Sequence, residues 1–398
     1  MQNMVLKAFT DSMDICLNRK VDFIVISGDL FDSNIPDMRL LNSAVKKMWE
    51  VKQAKIPLYV IYGSHDFSPT QTSIVDILES AGLFTKVSKG KMEDGLLKLE
   101  FTTDDRTRVK LCGIAGRRRG IDKEFFEVLD RELLEKADGF KIFLLHGALG
   151  EYKSEELAEA ESMPVSNLPK GFAYYAGGHM HERFQGKEYG FNIAYPGTLF
   201  GTDYTDLEKS AKGQERGFFI VTFASKIEKT EFVPVSTCGY QMIEYDSTGK
   251  TSVRVQKEVA ELVIRANPDG KIVLLKVAGE MSSGKTSDID FQQFKRVLKE
   301  NGAIEVLPNY HKLTSKEYAA VRVAGQNIDE IEETLFRENI GNIKVSNERL
   351  KGKPGIKLSQ EVLAILKLAR IENETKNTYE ERIASDAIQA MELEDDFK

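Results

Sequence analysis

Apolar and polar positions along the chain alternate between two periods. Val5, Leu6, Phe9, Met13, Cys16 and Leu17 recur at helical spacing, so the chain is expected to open in an amphipathic helix. Short apolar runs follow at 23–26, 58–62, 108–114, 141–145, 173–176 and 192–195, and these read as buried strands. Between them, helical periodicity is read at 37–53, 73–81 and 121–136. The alternation predicts an α/β domain over 1–215, its sheets covered by helices and its loops at the strand ends free for function.

After a polar stretch near Ser210 to Glu215 the pattern changes. Strands at 217–223, 230–235, 271–277 and 318–323, with a clear helix at 290–300, predict a smaller α+β unit over 216–330. Lys351-Gly352-Lys353-Pro354-Gly355 has the composition of a flexible linker. Within 331–398 two helices are expected. One begins near Ser359, with Val362, Ile365, Leu366 and Ala369 on a stripe. The other starts at a Thr378-x-x-Glu381 capping box and carries Tyr379, Ile383, Ala387 and Met391. Isolated helices beyond a linker need a surface to pack on, so this tail is a candidate docking element.

Composition narrows the class. A chain of 398 residues exceeds one ordinary domain, and 41% hydrophobic residues can furnish more than one core. No run approaches the roughly 18 apolar residues of a membrane span. The N-terminus lacks a basic stretch ahead of an apolar one, so no secretory signal is read. Cys16, Cys112 and Cys238 are scattered and odd in number, which fits a reducing cytoplasm and not a disulfide framework. A net charge of −7 argues against a chain coated by nucleic acid but leaves room for a local basic groove.

The candidate chemistry lies at strand ends. Of the five histidines, His65, His146, His179 and His181 stand just beyond apolar runs, in Gly63-Ser64-His65-Asp66, Leu145-His146-Gly147 and Gly178-His179-Met180-His181. Ile26-Ser27-Gly28-Asp29-Leu30-Phe31-Asp32 has the same layout. Imidazoles and carboxylates converging on one sheet edge can hold a pair of divalent metals. His179 and His181 alternate along an extended segment, so both side chains point the same way while Met180 points the other. Arg117, Arg118 and Arg119 follow Gly116 at another strand end, where they either contact phosphates or form a solvated face. His311 lies in a polar loop and is read as uninvolved.

The order Gly-Asp, Gly-x-His-Asp, a lone His and Gly-His-x-His resembles the calcineurin-like metallophosphoesterase superfamily. Gly28-Asp29-Leu30-Phe31-Asp32-Ser33, the segment from Tyr174 to His181, and Tyr195-Pro196-Gly197-Thr198-Leu199 are similar to the meiotic-recombination-eleven family. That family supplies the nuclease subunit of the double-strand-break repair complex. The resemblance implies a four-layer β-sandwich flanked by helices, a DNA-capping domain over 216–330 and a helical tail over 331–398. It implies Mn²⁺-dependent 3'-5' exonuclease and single-strand endonuclease activity on DNA ends, with two Mn²⁺ ions and Mg²⁺ as an alternative. It also implies a homodimer, and docking on a coiled-coil ABC-type ATPase, for which Val362, Ile365, Leu366, Ile383 and Met391 are the candidate contacts.

Carried over residue by residue, the resemblance makes Asp29 the bridging metal ligand, with Ser64, His146, His179 and His181 as the others. Ser64 stands where the family has an Asn, and its hydroxyl is a shorter and weaker oxygen ligand. His65 is expected to face the scissile phosphate, with Asp66 orienting its imidazole. Asp32 either positions water at the ions or caps a turn. The family's opening Asp-x-His has no counterpart here, so this chain is expected to hold one ion poorly. Two functional readings follow: an active repair nuclease whose first strand precedes this sequence, or a non-catalytic DNA-end scaffold for the ATPase. Another phosphodiesterase of the superfamily is a third, which the capping unit and tail disfavour.

Overall fold

A computed structural model of the chain describes all residues except 34, 67–72, 117–121, 154–161, 317–331, 333–335, 338–351, 372–375 and 392–398. Met1–Asp246, Gln256–Ala278 and Asp290–Lys312 form one compact unit; the described residues of Ser247–Val255, Gly279–Ile289 and Leu313–Lys398 form a second.

The first unit opens with α1 (Gln2–Arg19), β1 (Ile24–Ser27), α2 (Met38–Gln53), β2 (Leu58–Ile61), α3 (Ile74–Ser80) and β3 (Thr85–Lys86). Asp37 caps α2 by accepting from the amides of Arg39 and Leu40, and Ser73 with Asp76 forms a capping box on α3. The three strands make a parallel sheet in the order β1-β2-β3. Met13, Ala44, Met48, Val51, Val75 and Leu78 from the helices bury one face of it, against Leu58 and Val60.

A hairpin of β4 (Gly90–Glu93) and β5 (Leu96–Leu99) precedes the larger sheet. That sheet holds β6 (Thr102–Thr103), β7 (Lys110–Ile114), β8 (Lys141–His146), β9 (Tyr174–Gly178), β10 (Phe184–Gly186) and β11 (Ile193–Tyr195), in the order β10-β11-β9-β8-β7-β6. Every residue of β8 is buried, which explains its unbroken apolar run. Ile142 and Leu144 meet Tyr59 and Ile61 of the first sheet, whereas Phe143 and Leu145 meet Phe126 and Leu134 on the opposite side. Phe126 belongs to α4 (Asp122–Glu127) and Leu134 to α5 (Arg131–Lys136). The result is helices, sheet, sheet, helices, the four layers expected.

The remaining elements are α6 (Tyr204–Ala211), β12 (Gly217–Phe223), β13 (Ile227–Pro234), β14 (Gly239–Asp246), α7 (Ser252–Arg265), β15 (Lys271–Met281), α8 (Phe291–Glu300), β16 (Glu305–Asn309) and β17 (Leu313–Ser315). Phe219, Val221 and Phe223 of β12 cover the core between the two sheets, so this strand belongs to the first unit. Ala8 of α1 and Leu207 of α6 share a core with Ile272 and Leu274 of β15. In the second unit, β17 pairs with the Gly279 to Met281 end of β15. There α9 (Gly352–Leu366) and α10 (Lys376–Met391) pack against each other, with the Tyr379 hydroxyl donating to the Leu368 carbonyl at 2.9 Å. No described helix is long and apolar enough to cross a membrane.

Several sequence expectations are corrected. The helix read at 121–136 is broken: Leu97 of β5 pairs with Leu129, and the Leu97 amide and carbonyl bond Val128 and Asp130. A long-range pairing here overrides local helical periodicity. The segment read as a linker at 351–355 is helical from Gly352, because Pro354 in a first turn gives up no intrahelical bond. Thr378 lies inside α10 and does not cap it. The strand read at 318–323 lies outside the described residues. Helix α7 was not anticipated, although Val255, Val259 and Val263 recur at helical spacing and are all buried.

Candidate metal centre

The ends of four parallel strands converge. β1 pairs in parallel with β2, and β8 with β9, so residues following each strand leave on one side. The two sheets are stitched there by His146, whose Nδ1 donates to the Ser27 carbonyl at 2.8 Å, and by the Ser27 hydroxyl, which donates to the Ala176 carbonyl at 2.9 Å. Space for this crossing comes from glycine. A Cβ on Gly178 would lie 1.9 Å from the Ser27 oxygen, and one on Gly28 would lie 2.4 Å from His146 Nδ1. Gly28 (φ 93°) and Asp29 (φ 51°) are both left-handed, which turns the chain sharply after β1 and aims the Asp29 carboxylate back at the strand ends.

Asp29 Oδ1 accepts the His65 amide at 2.9 Å, and Oδ2 lies 3.1 Å from His146 Nε2. That ring nitrogen is fully buried and, while the ring's proton sits on Nδ1, makes no hydrogen bond. With Nδ1 committed as donor to Ser27, Nε2 of the neutral ring presents a lone pair to a carboxylate oxygen. Two electron-rich atoms this close call for positive charge between them. Burial disfavours the charged imidazole, yet Asp29 outweighs it and raises the His146 pKa; burial likewise opposes the Asp29 carboxylate, and His146 still lowers its pKa. The His179 ring stands 5.2 Å from that of His146, at 66°. Packing around the His179 ring, and then the neighbouring His146, push its pKa down to about 4, so it stays a neutral nitrogen donor. A buried orphan nitrogen, a facing carboxylate and a neutral imidazole are a donor set that fits a divalent cation.

His181 is placed differently. Its side chain is 49% exposed, and Nδ1 donates to Asp206 Oδ2 at 2.7 Å. Asp206 itself is buried and pairs through Oδ1 with Arg216 at 3.0 Å. Neither Asp206 nor Arg216 was singled out from sequence. The spacing Asp203-x-x-Asp206 was a helix-start signal, since Asp203 caps α6 by accepting the Asp206 amide at 2.8 Å; nothing local marks Arg216 as buried.

His65 is exposed, and its Nδ1 donates to the Asp32 carbonyl at 2.9 Å. The role expected of Asp66 is therefore corrected: it does not orient His65. Asp66 is 1% exposed and accepts the amides of Gly63 (2.9 Å), Phe31 (3.2 Å) and Leu30 (3.3 Å), clamping the loop after β1 to the loop after β2. Burial raises its pKa against those amides. Asp32 serves through its main chain. Ser64 is half-buried in the same turn as His65. Arg117, Arg118 and Arg119 lie outside the described residues. In the tail, Ile383 is buried, Leu366 is 54% exposed, and Val362, Ile365 and Met391 are half-buried.

Comparison with known proteins points the same way. Residues 5–183 match the calcineurin-like phosphoesterase family. Relatives include the DNA double-strand break repair protein Mre11 of Archaeoglobus fulgidus, 25% identical over 353 residues, covering 82% of this chain and 76% of that protein. The protein of the same name in Thermoplasma acidophilum is 24% identical, covering 78% of this chain and 81% of its own length. That of Sulfurisphaera tokodaii is 33% identical over 181 residues, 45% of this chain and 43% of that protein.

Proposed function

Because residues 5–183 are a calcineurin-like phosphoesterase domain in a chain homologous to archaeal Mre11 proteins, we propose that it is a DNA double-strand-break repair nuclease. In this reading it is a Mn²⁺-dependent hydrolase of phosphodiester bonds, a 3'-5' exonuclease and single-strand endonuclease. The observation that carries it is the buried His146 Nε2 facing an Asp29 oxygen at 3.1 Å, at the meeting point of four strand ends.

Asp29, His146 and His179 would hold one divalent ion, and Asp29 with His181 a second, Ser64 adding a weak oxygen. Bound divalent ions supply Lewis-acid activation of a phosphodiester and of water. The chain's own residues do the rest. Asp29 is fixed by the His65 amide, so its carboxylate is aimed before any ion arrives. Asp66 holds the two loops in register. His65, with Nδ1 committed to Asp32, has only Nε2 to offer a ligand; as imidazolium it donates that proton to the departing sugar oxygen. Residues 216–330 cap the DNA, Arg117 to Arg119 contact its phosphates, and 331–398 dock on a coiled-coil ABC-type ATPase, with a homodimer as the assembly.

The test is cleavage of linear duplex and single-stranded DNA, with Mn²⁺ and with the ion chelated, by the chain extended with a first strand that carries the family's Asp-x-His. Hydrolysis dependent on Mn²⁺ is expected. A chain that takes up Mn²⁺ and binds DNA ends but cleaves neither substrate would be a scaffold, and the nuclease reading would fall.

A further inference from the structure

We infer that the buried Asp206–Arg216 pair is a positioning device that presents Nε2 of His181 to a divalent cation, acting through the imidazole and not as a ligand. The inference rests on the metal-centre reading above for the cation, but the ring tautomer it assigns is a property of the metal-free protein.

His181, Asp203 and Asp206 place three potential ligand atoms within 4.8 Å of one another, which looks at first like a metal cage. The hydrogen bonds say otherwise. Both carboxylate oxygens of Asp206 are engaged, Oδ2 by the His181 Nδ1 proton at 2.7 Å and Oδ1 by Arg216 Nη2 at 3.0 Å. A cation seated on Asp206 would have to displace one of them while lying beside a buried guanidinium. Asp203 is occupied as the cap of α6, and its Oδ2 is 3.9 Å from the ring nitrogen.

Arg216 also grips the histidine's backbone. Its Nη1 donates to the His181 carbonyl at 2.6 Å and to the Thr198 hydroxyl at 3.1 Å. Nη2 donates to the Asp206 carbonyl at 2.9 Å, and Nε to the Ser210 hydroxyl at 3.1 Å. One guanidinium thus fixes both the main chain that carries the imidazole and the carboxylate that orients it. The need is specific to this histidine: its side chain is half-exposed, and an unrestrained ring would offer either nitrogen. With Nδ1 holding the proton, Nε2 is left as the ligating lone pair. Partners of this kind orient metal-binding imidazoles generally.

The test compares the full chain with Asp206→Asn and Asp203→Ser by Mn²⁺ titration followed by electron paramagnetic resonance. An Asn has one acceptor oxygen where Arg216 and Nδ1–H each require one, so a ring facing the amide hydrogens must move its proton to Nε2. Asp206→Asn is expected to weaken the affected Mn²⁺ position about 10–100-fold. Asp203→Ser keeps a cap and is expected to leave it unchanged. NMR of histidine-labelled, metal-free wild-type chain is expected to place the His181 proton on Nδ1, a result independent of whether Asp206→Asn folds. A neutral His181 ring with its proton on Nε2, unchanged Mn²⁺ affinity in Asp206→Asn, or an equal loss in Asp203→Ser overturns the inference. No Mn²⁺ uptake by the unmodified chain overturns the phosphoesterase reading itself.

Discussion

His146 and His181 stand at the ends of neighbouring strands, yet the molecule fixes them by opposite means. His146 is buried, and its ring is oriented by the main-chain carbonyl of Ser27. His181 is half in solvent, and its ring is oriented by a carboxylate that a buried arginine holds in place. A main-chain acceptor cannot be lost by substitution, but it demands that two sheets approach closely enough to leave no room for a Cβ. A side-chain acceptor tolerates looser packing, but it depends on a residue far along the chain. The buried half of the site is therefore sensitive to volume, and the open half to charge and hydrogen-bond chemistry.

The sharpest way to break this contrast is to remove the buried nitrogen. His146→Gln is expected to lower Mn²⁺ affinity by more than ~100-fold, since even the outer partners of metal ligands are worth about 10–100-fold. DNA hydrolysis should fall to background with it. Calorimetric titration decides; retained affinity would mean that the buried half is not a cation site. His65→Ala should lower hydrolysis by roughly 10²–10³-fold, the cost of losing one group that meets charge developing in the transition state. Mn²⁺ uptake and DNA affinity should be preserved, so a parallel loss of uptake would place His65 among the structural supports instead.

Volume sensitivity has its own probe. Gly178→Ala puts a Cβ 1.9 Å from the Ser27 carbonyl, which must move and take the His146 ring with it. Overpacking of this kind should destabilise the protein by about 1–3 kcal/mol, read from denaturant unfolding with the ion chelated. Full stability would show that the two sheets can part without cost. The smallest effect on the site is expected from ending the chain after Lys351. Mn²⁺ titration should be unchanged, whereas co-purification with the coiled-coil ATPase should drop sharply. Undiminished binding would put the docking surface elsewhere.

Much of this site was legible because its logic is local. Strands buried on both faces are continuous apolar runs, and a histidine or aspartate directly beyond such a run, beside glycine, must lie at a sheet edge. Asp29, His65, His146, His179 and His181 could be named on that basis, as could β1, β2, β8 and β9. The break between α4 and α5 could not, because it depends on Leu129 meeting Leu97 of the hairpin.

Asp66 marks the same boundary at the level of one side chain. Its neighbour His65 made an orienting role plausible, but the amides of Leu30 and Phe31 come to its carboxylate from another strand end. The sequence by itself determined which residue types stand at each strand end, since apolar periodicity and adjacent glycines act over a few positions. Only the tertiary structure decided which partner each polar group takes. A carboxylate bonds whatever donor the fold brings within reach, and for Asp66 and Asp206 those donors include groups remote in the chain.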